Sequence, residues 1–260
     1  MIHNHGGMVS GLDVQSGDEA ARKLGLRILA PNRPGVGGSS FRPDASVLAW
    51  AEDVQEMIRG LRLEGDCGIH GWSMGGQYAL ALAAKLPRVR SAVIIAGALP
   101  LDVSGRLEEL HWTDRWATRV SLQRPRLARR LSAVGKWLVP RWADFLILFY
   151  AALLGPEERA WARSADRAGL ARAVAEALND PAGPVEECRT WAKPWEFDLQ
   201  EVQCPVTIVH GENDRLVPFH WGEKLAARLP RAELQAVPSV GHLWTVSDWE
   251  RGLKAFGKMG

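Results

Sequence analysis

Three side chains far apart in the chain have the types that acyl chemistry needs. Gly71-Trp72-Ser73-Met74-Gly75-Gly76 places a serine at the Gly-x-Ser-x-Gly spacing. Such a pentapeptide arises by chance in about one chain in eight of this composition, so the spacing alone decides little. Its setting decides more: a β-type run precedes it, and the helical pattern Gln77-Tyr78-Ala79-Leu80-Ala81-Leu82 follows it. A serine on a tight strand-to-helix turn is held in strained backbone with its hydroxyl projecting outward, and flanking glycines relieve the crowding. The following helix aims its N-terminus at the same point, where the Met74 amide can donate to a developing oxyanion.

A serine hydroxyl is a weak nucleophile near neutrality, so it needs a base, and the base needs an acceptor on its second ring nitrogen. Pro238-Ser239-Val240-Gly241-His242-Leu243 puts a histidine in a loop just past a strand, and Val206–His210 opens into a polar turn carrying Asp214. Taken alone, Asp214 is as readily a turn residue capping backbone amides as a catalytic acid. The order Ser73, Asp214, His242, each at the carboxyl end of a strand, favours the catalytic reading. Asp102 is the alternative acid, because it follows a neighbouring strand. His70, His210 and His220 are expected to be structural.

The elements that must position these groups alternate. Strands are expected at Met1–Asn4, Leu26–Ala30, Cys67–His70 and Ala92–Ala96, with helices at Val14–Leu24, Ala45–Leu61 and Met74–Leu86 between them. This is the pattern of a parallel sheet with crossover helices. Residues 101–197, rich in Trp, Arg, Leu and Ala, hold no convincing β run and read as a helical insertion. Strands return at Val206–His210 and Glu233–Val237 around a helix at Trp221–Arg228, and a last helix is expected over Thr245–Lys258. The core is thus 1–100 with 198–260, and 101–197 is the insertion.

A chain of 260 residues, 47% hydrophobic, can bury one large core. Its net charge of +2 gives no reason to expect nucleic acid, which asks for a strongly basic face. Three widely spaced cysteines, Cys67, Cys188 and Cys204, indicate neither a disulfide framework nor a zinc site, and a reducing cytoplasm is the simplest setting. The apolar run Phe145–Leu154 is too short to cross a bilayer. Arg124, Arg126, Arg129, Arg130, Lys136 and Arg141 precede it, and a solvated helix followed by a buried one accounts for both, so membrane contact is not expected. Most of the seven insertion tryptophans, Trp112, Trp116, Trp137, Trp142, Trp161, Trp191 and Trp195, are expected to pack the insertion, and the others to line an apolar pocket.

Four blocks resemble the α/β-hydrolase superfamily over nearly the whole chain, with most similarity to its esterase and lipase-like members. His5-Gly6-Gly7-Met8 looks like the oxyanion loop, Asn32-Arg33-Pro34-Gly35-Val36-Gly37-Gly38-Ser39 like the turn after the next strand, Gly71–Gly76 like the nucleophile elbow, and Gly211–Pro218 with Gly241-His242 like the acid and base segments. The resemblance implies a mostly parallel, doubly wound α/β sheet with a helical lid over 101–197, and Gly7 as the second oxyanion donor beside Met74. Asn32 stands where the family usually has aspartate, which alters a structural turn. Met1 falls inside the strand leading to the oxyanion loop, so the family's N-terminal hairpin is expected to be missing. The function implied is hydrolysis of a small hydrophobic or neutral ester without metal or organic cofactor. Acyl transfer at the same site, or small-molecule binding without turnover, are the alternatives.

Overall fold

Short aliphatic and β-branched runs, bounded by glycine and polar turns, become strands when both faces can be covered. In the computed structural model, which describes residues 1–244, 249–254 and 256, these runs form one parallel sheet of five strands. They are β1 Ile2–Asn4, β2 Cys67–Trp72, β3 Val89–Ile95, β4 Val206–Gly211 and β5 Ala232–Val237, adjacent in that order. His3 lies opposite His70, Ile94 opposite Ile208, and Ile208 opposite Leu234. Because every pair is parallel, all carboxyl ends meet at one rim.

Alternate strand residues feed two separate cores. Ile69, Ala92, Ile94, Val206 and Ile208 face α2 Val47–Gly60, α3 Gly75–Lys85 and α10 Phe219–Arg228. Val93, Ile95 and Val209 face the other way, toward α1 Asp18–Lys23 and α11 Trp249–Lys254. Helix α2 shows why its sequence folds as it does: Ser46 caps it by accepting from the Ala49 amide at 3.1 Å, and Val47, Trp50, Ala51, Val54 and Ile58 recur at helical spacing on the buried side.

Two expected elements differ. The segment Leu26–Ala30 contributes only one bridge, Ile2 to Leu29, tied by Leu29 N to Met1 O at 2.9 Å and His3 N to Leu29 O at 2.7 Å. The segment expected as one helix over Val14–Leu24 is a 3₁₀ stretch, Gly11–Gly17, followed by α1. The tighter winding keeps Asp13 inside, where its carboxylate meets His3 Nε2 at 2.7 Å and the Gly6 amide at 3.0 Å. Of the last helix, Trp249–Lys254 is described, and its remaining expected residues lie outside the described ones or outside regular structure.

Between β3 and β4 the chain forms α4 Arg106–Glu109, α5 Trp112–Gln123, α6 Pro125–Leu154, α7 Pro156–Ser164, α8 Arg167–Ala177 and α9 Gly183–Trp191. Helix α6 bends where Pro140 removes a backbone donor and Trp142 leaves helical geometry at φ −132°. Its apolar run, expected to be buried, is so only in part: Ala151 and Leu154 are buried, whereas Phe145 is 63% and Phe149 54% exposed. The helix is apolar on both sides, and only the side bearing Val139, Ala143, Leu146, Ile147 and Tyr150 faces the cavity below.

Candidate active site

Ser73 sits immediately after β2 with φ +55°, a left-handed conformation that side chains other than glycine seldom adopt. Hydrogen bonds fix it from both sides: its amide donates to Ile95 O at 2.8 Å, and its carbonyl accepts from Gly76 at 2.9 Å and Ala98 at 3.0 Å. Gly75 allows the close approach this turn requires, since a Cβ there would run into the carbonyl oxygens of Asn4 and His5. The elbow is thereby wedged against the end of β1, next to the loop His5–Met8.

That loop is held by buried charge. Arg33 donates from Nη1 to His5 O at 2.6 Å and from Nη2 to Gly6 O at 2.8 Å, while its Nε meets Glu187 Oε1 at 2.8 Å. Burial pushes the Glu187 carboxyl up, against the pull of the Arg33 guanidinium. Asn32 Oδ1 accepts from the Gly11 amide at 2.7 Å and acts as a strut between turns. A Cβ on Gly7 would lie 3.5 Å from Met74 Cβ, so the two residues face each other, and neither backbone amide donates to another group among the described residues.

Asp214 and His242 meet from loops after β4 and β5, with His242 Nδ1 to Asp214 Oδ2 at 2.7 Å. The other carboxylate oxygen accepts from Leu216 and Val217 amides, each at 2.9 Å. Burial would raise the Asp214 carboxyl, but the His242 charge and hydrogen bonds from His210 and His242 outweigh it and hold it well below the usual carboxylate range. Burial also lowers His242, yet Asp214 beside it, with Glu158 and Asp114 farther off, leaves the imidazole above its ordinary value. Because Nδ1 is committed to Asp214, Nε2 is the nitrogen left for a substrate-side partner. Asp102, the alternative acid, is exposed and lies 4.0 Å from Arg106.

Ser73, Met74, Gly7 and His242 all line one cavity of about 530 Å³. Its remaining wall is largely apolar and comes from the helices over the rim: Trp112 and Trp116 of α5, the inner face of α6, Leu170 and Val174 of α8, and Trp191 of α9. Of the other insertion tryptophans, Trp137 and Trp142 are exposed and Trp195 stacks on Phe197 with centroids 5.3 Å apart.

Three groups had no signal in the local sequence pattern. Glu158 of α7, 84 residues from His242, is buried and accepts the backbone amides of His242 and Leu243, the latter at 3.1 Å. Asp114 of α5 lines the cavity bonded to Tyr150, and burial raises its carboxyl to about 6. His210, expected only to end its strand, reaches Val217 O at 2.9 Å and Asp214 Oδ2 at 3.5 Å, steadying the acid. His70 is buried with Nδ1 2.8 Å from His3 Nδ1, and His220 meets Glu109 at 2.6 Å on the surface.

Comparison with known proteins places the chain among hydrolases. The chain is 28% identical over 235 residues, covering 84% of it and 81% of its relative, to a pimeloyl-[acyl-carrier protein] methyl ester esterase of Aromatoleum aromaticum. It is 28% identical over 225 residues, covering 84% of it and 71% of the relative, to a 2-hydroxymuconate semialdehyde hydrolase of Pseudomonas putida. In fold it is similar to a thermophilic esterase from Thermogutta terrifontis, with TM-score 0.68, 22% identity and coverage of 99% and 87% of the two chains. The model of the alpha/beta hydrolase family matches residues 5–255, so the chain belongs to that family and is a hydrolase.

Proposed function

We propose that the protein hydrolyses a carboxylic ester through an acyl-enzyme on Ser73, with His242 as base and Asp214 as its orienting acid. The observation that carries this reading is the 2.7 Å bond from His242 Nδ1 to Asp214, with His242 and Ser73 lining the same cavity. Ser73 Oγ attacks the ester carbonyl carbon while its proton passes to His242 Nε2. The carbonyl oxygen, now negative, is met by the Gly7 and Met74 amides, which are preorganised and need no rearrangement as charge develops. Collapse of the tetrahedral intermediate expels the alcohol, which takes the proton from His242. Water then enters by the same steps in reverse and releases the acid.

The apolar wall supports an ester with an extended apolar acyl group, and the relatives named as methyl ester esterases support a small alcohol. The separate free thiols Cys67, Cys188 and Cys204 fit a reducing, cytoplasmic setting. An ester panel of graded acyl length, run on the native chain and on Ser73→Ala, tests the reading. Turnover should rise with acyl length until the cavity is filled and should fall by roughly three or more orders of magnitude in Ser73→Ala. Turnover that survives Ser73→Ala refutes it, and alkyl ester products formed in added alcohol would turn the reading toward acyl transfer.

A further inference from the structure

We propose that the outer face of α6 is a docking surface for an anionic lipid bilayer, with the helix lying flat in the headgroup region. A helix at the surface of a globular protein normally shows one apolar side. This one shows two. Beyond the side that faces the cavity, Leu131, Val134, Trp137, Trp142, Phe145 and Phe149 point into solvent, Trp142 at 58% and Phe145 at 63% exposure. They recur every three or four residues on each side of the bend at Trp142, and so form one stripe. Phe145 and Phe149 stack on each other with centroids 6.0 Å apart rather than packing into the body.

Charge identifies the occupant. Five cations lie on this helix against one acid, Asp144, which is paired with Arg167 at 3.1 Å. Lys136 turns back to Asn179 O at 2.8 Å and Arg129 lies 5.8 Å from the Phe41 ring, which leaves Arg126, Arg130 and Arg141 exposed beside the apolar stripe. Arg141 rests 4.6 Å from the Trp137 ring, leaving an aromatic and a cation at the same depth. Tryptophan and arginine beside an aliphatic stripe match the layered chemistry of an anionic membrane surface, with apolar groups reaching the acyl boundary and cations at phosphate level. A second copy of this chain fits less well, since the same face carries one acid, already paired, and so brings no anionic partner for these cations. The helix is long and apolar enough to span a bilayer, but it packs against α5, α7, α8 and α9, with Ala128, Ala151 and Leu154 buried near its two ends, which directs it along the surface.

Binding, not turnover, tests this, so the result is independent of the esterase reading. The full chain is sedimented with vesicles of phosphatidylcholine alone and with vesicles containing phosphatidylglycerol. The native protein and Ser73→Ala should both partition onto the anionic vesicles, with affinity about tenfold or more above that for neutral ones, and high salt should erase the difference. The triple variant Trp142→Ser, Phe145→Ser, Phe149→Ser and the double variant Arg126→Glu, Arg130→Glu should each lose about tenfold or more. Turnover of a soluble short-chain ester should be unchanged in both, because none of these residues lines the cavity. A native chain that stays off both vesicle types overturns the proposal, as does equal binding to both. A concentration-dependent dimer that the triple variant disperses would assign the face to a second copy, and a complex with an acidic protein in place of vesicle binding would assign it to that class of partner.

Discussion

His242 lies among groups that pull its proton affinity in opposite directions. Burial disfavours the imidazolium, whereas Asp214 in direct contact and the carboxyls of Glu158 and Asp114 favour it, and the net effect is upward. Since the base must be neutral to accept the Ser73 proton, activity should be lost as pH falls through the raised value. We expect the acidic limb of kcat/KM to have its midpoint above the ordinary histidine value of about 6.5. Asp114→Asn removes one of the charges holding the proton, so that midpoint should move down in the variant. A midpoint below 6.5 in the native chain, or no movement in Asp114→Asn, would contradict this account of the site. At this scale Ser73, Asp214 and His242 were legible because each carries a local signature: an elbow, a strand-end turn, and a loop histidine in the right order. Asp114 and Glu158 carry none, being ordinary acidic residues on helices whose contacts form only when the insertion folds over the rim.

Helix α7 reaches into the catalytic loop through one side chain. Glu158 accepts two backbone amides, those of His242 and Leu243, and a Cβ on Gly241 would collide with it. Removing the acceptor leaves two buried donors unsatisfied, at a cost of about 1–3 kcal/mol each. Glu158→Ala should therefore lower both the melting temperature and kcat, with a smaller effect on KM because the cavity wall is untouched. Glu158→Gln retains an acceptor oxygen and should recover most of kcat while shifting the acidic limb downward, which a purely structural role would not do. Equal pH profiles for Glu158→Gln and the native chain would refute the electrostatic part. Strand boundaries were legible to within two residues for β2, β4 and β5, whereas β3 begins at Val89, three residues before the expected Ala92. The segment Leu26–Ala30 has the residues of a strand, but it forms one bridge, Leu29 to Ile2, beside β1.

On the scale of the whole molecule, four loops from four strands of one parallel sheet meet a helical insertion, and the reaction chamber is the space between them. Sheet and insertion divide the work. The sheet supplies Gly7, Ser73, Asp214 and His242 at one rim, and the insertion supplies the apolar wall, with Glu158 reaching back to the base and Glu187 to the oxyanion loop. The order of elements was readable from the alternation of short β runs and helical patterns. The exposure of α6 was not, because an apolar run has the same composition whether it faces a core or solvent; only the placement of the other helices decides which. The outward stripe would set the cavity roof at a membrane surface, where apolar esters concentrate.

Labelling with a fluorophosphonate probe reads the activated serine itself, because such a probe reacts far faster with a serine whose proton a neighbouring base removes than with an ordinary hydroxyl. The native chain should acquire one phosphonyl group, mapped by peptide mass spectrometry to Ser73, and the rate should fall as pH drops through the His242 value. Ser73→Ala should remain unlabelled, and His242→Ala should label at least roughly a hundredfold more slowly. A folded native chain that takes up no probe, or takes it up on another residue, would contradict the account.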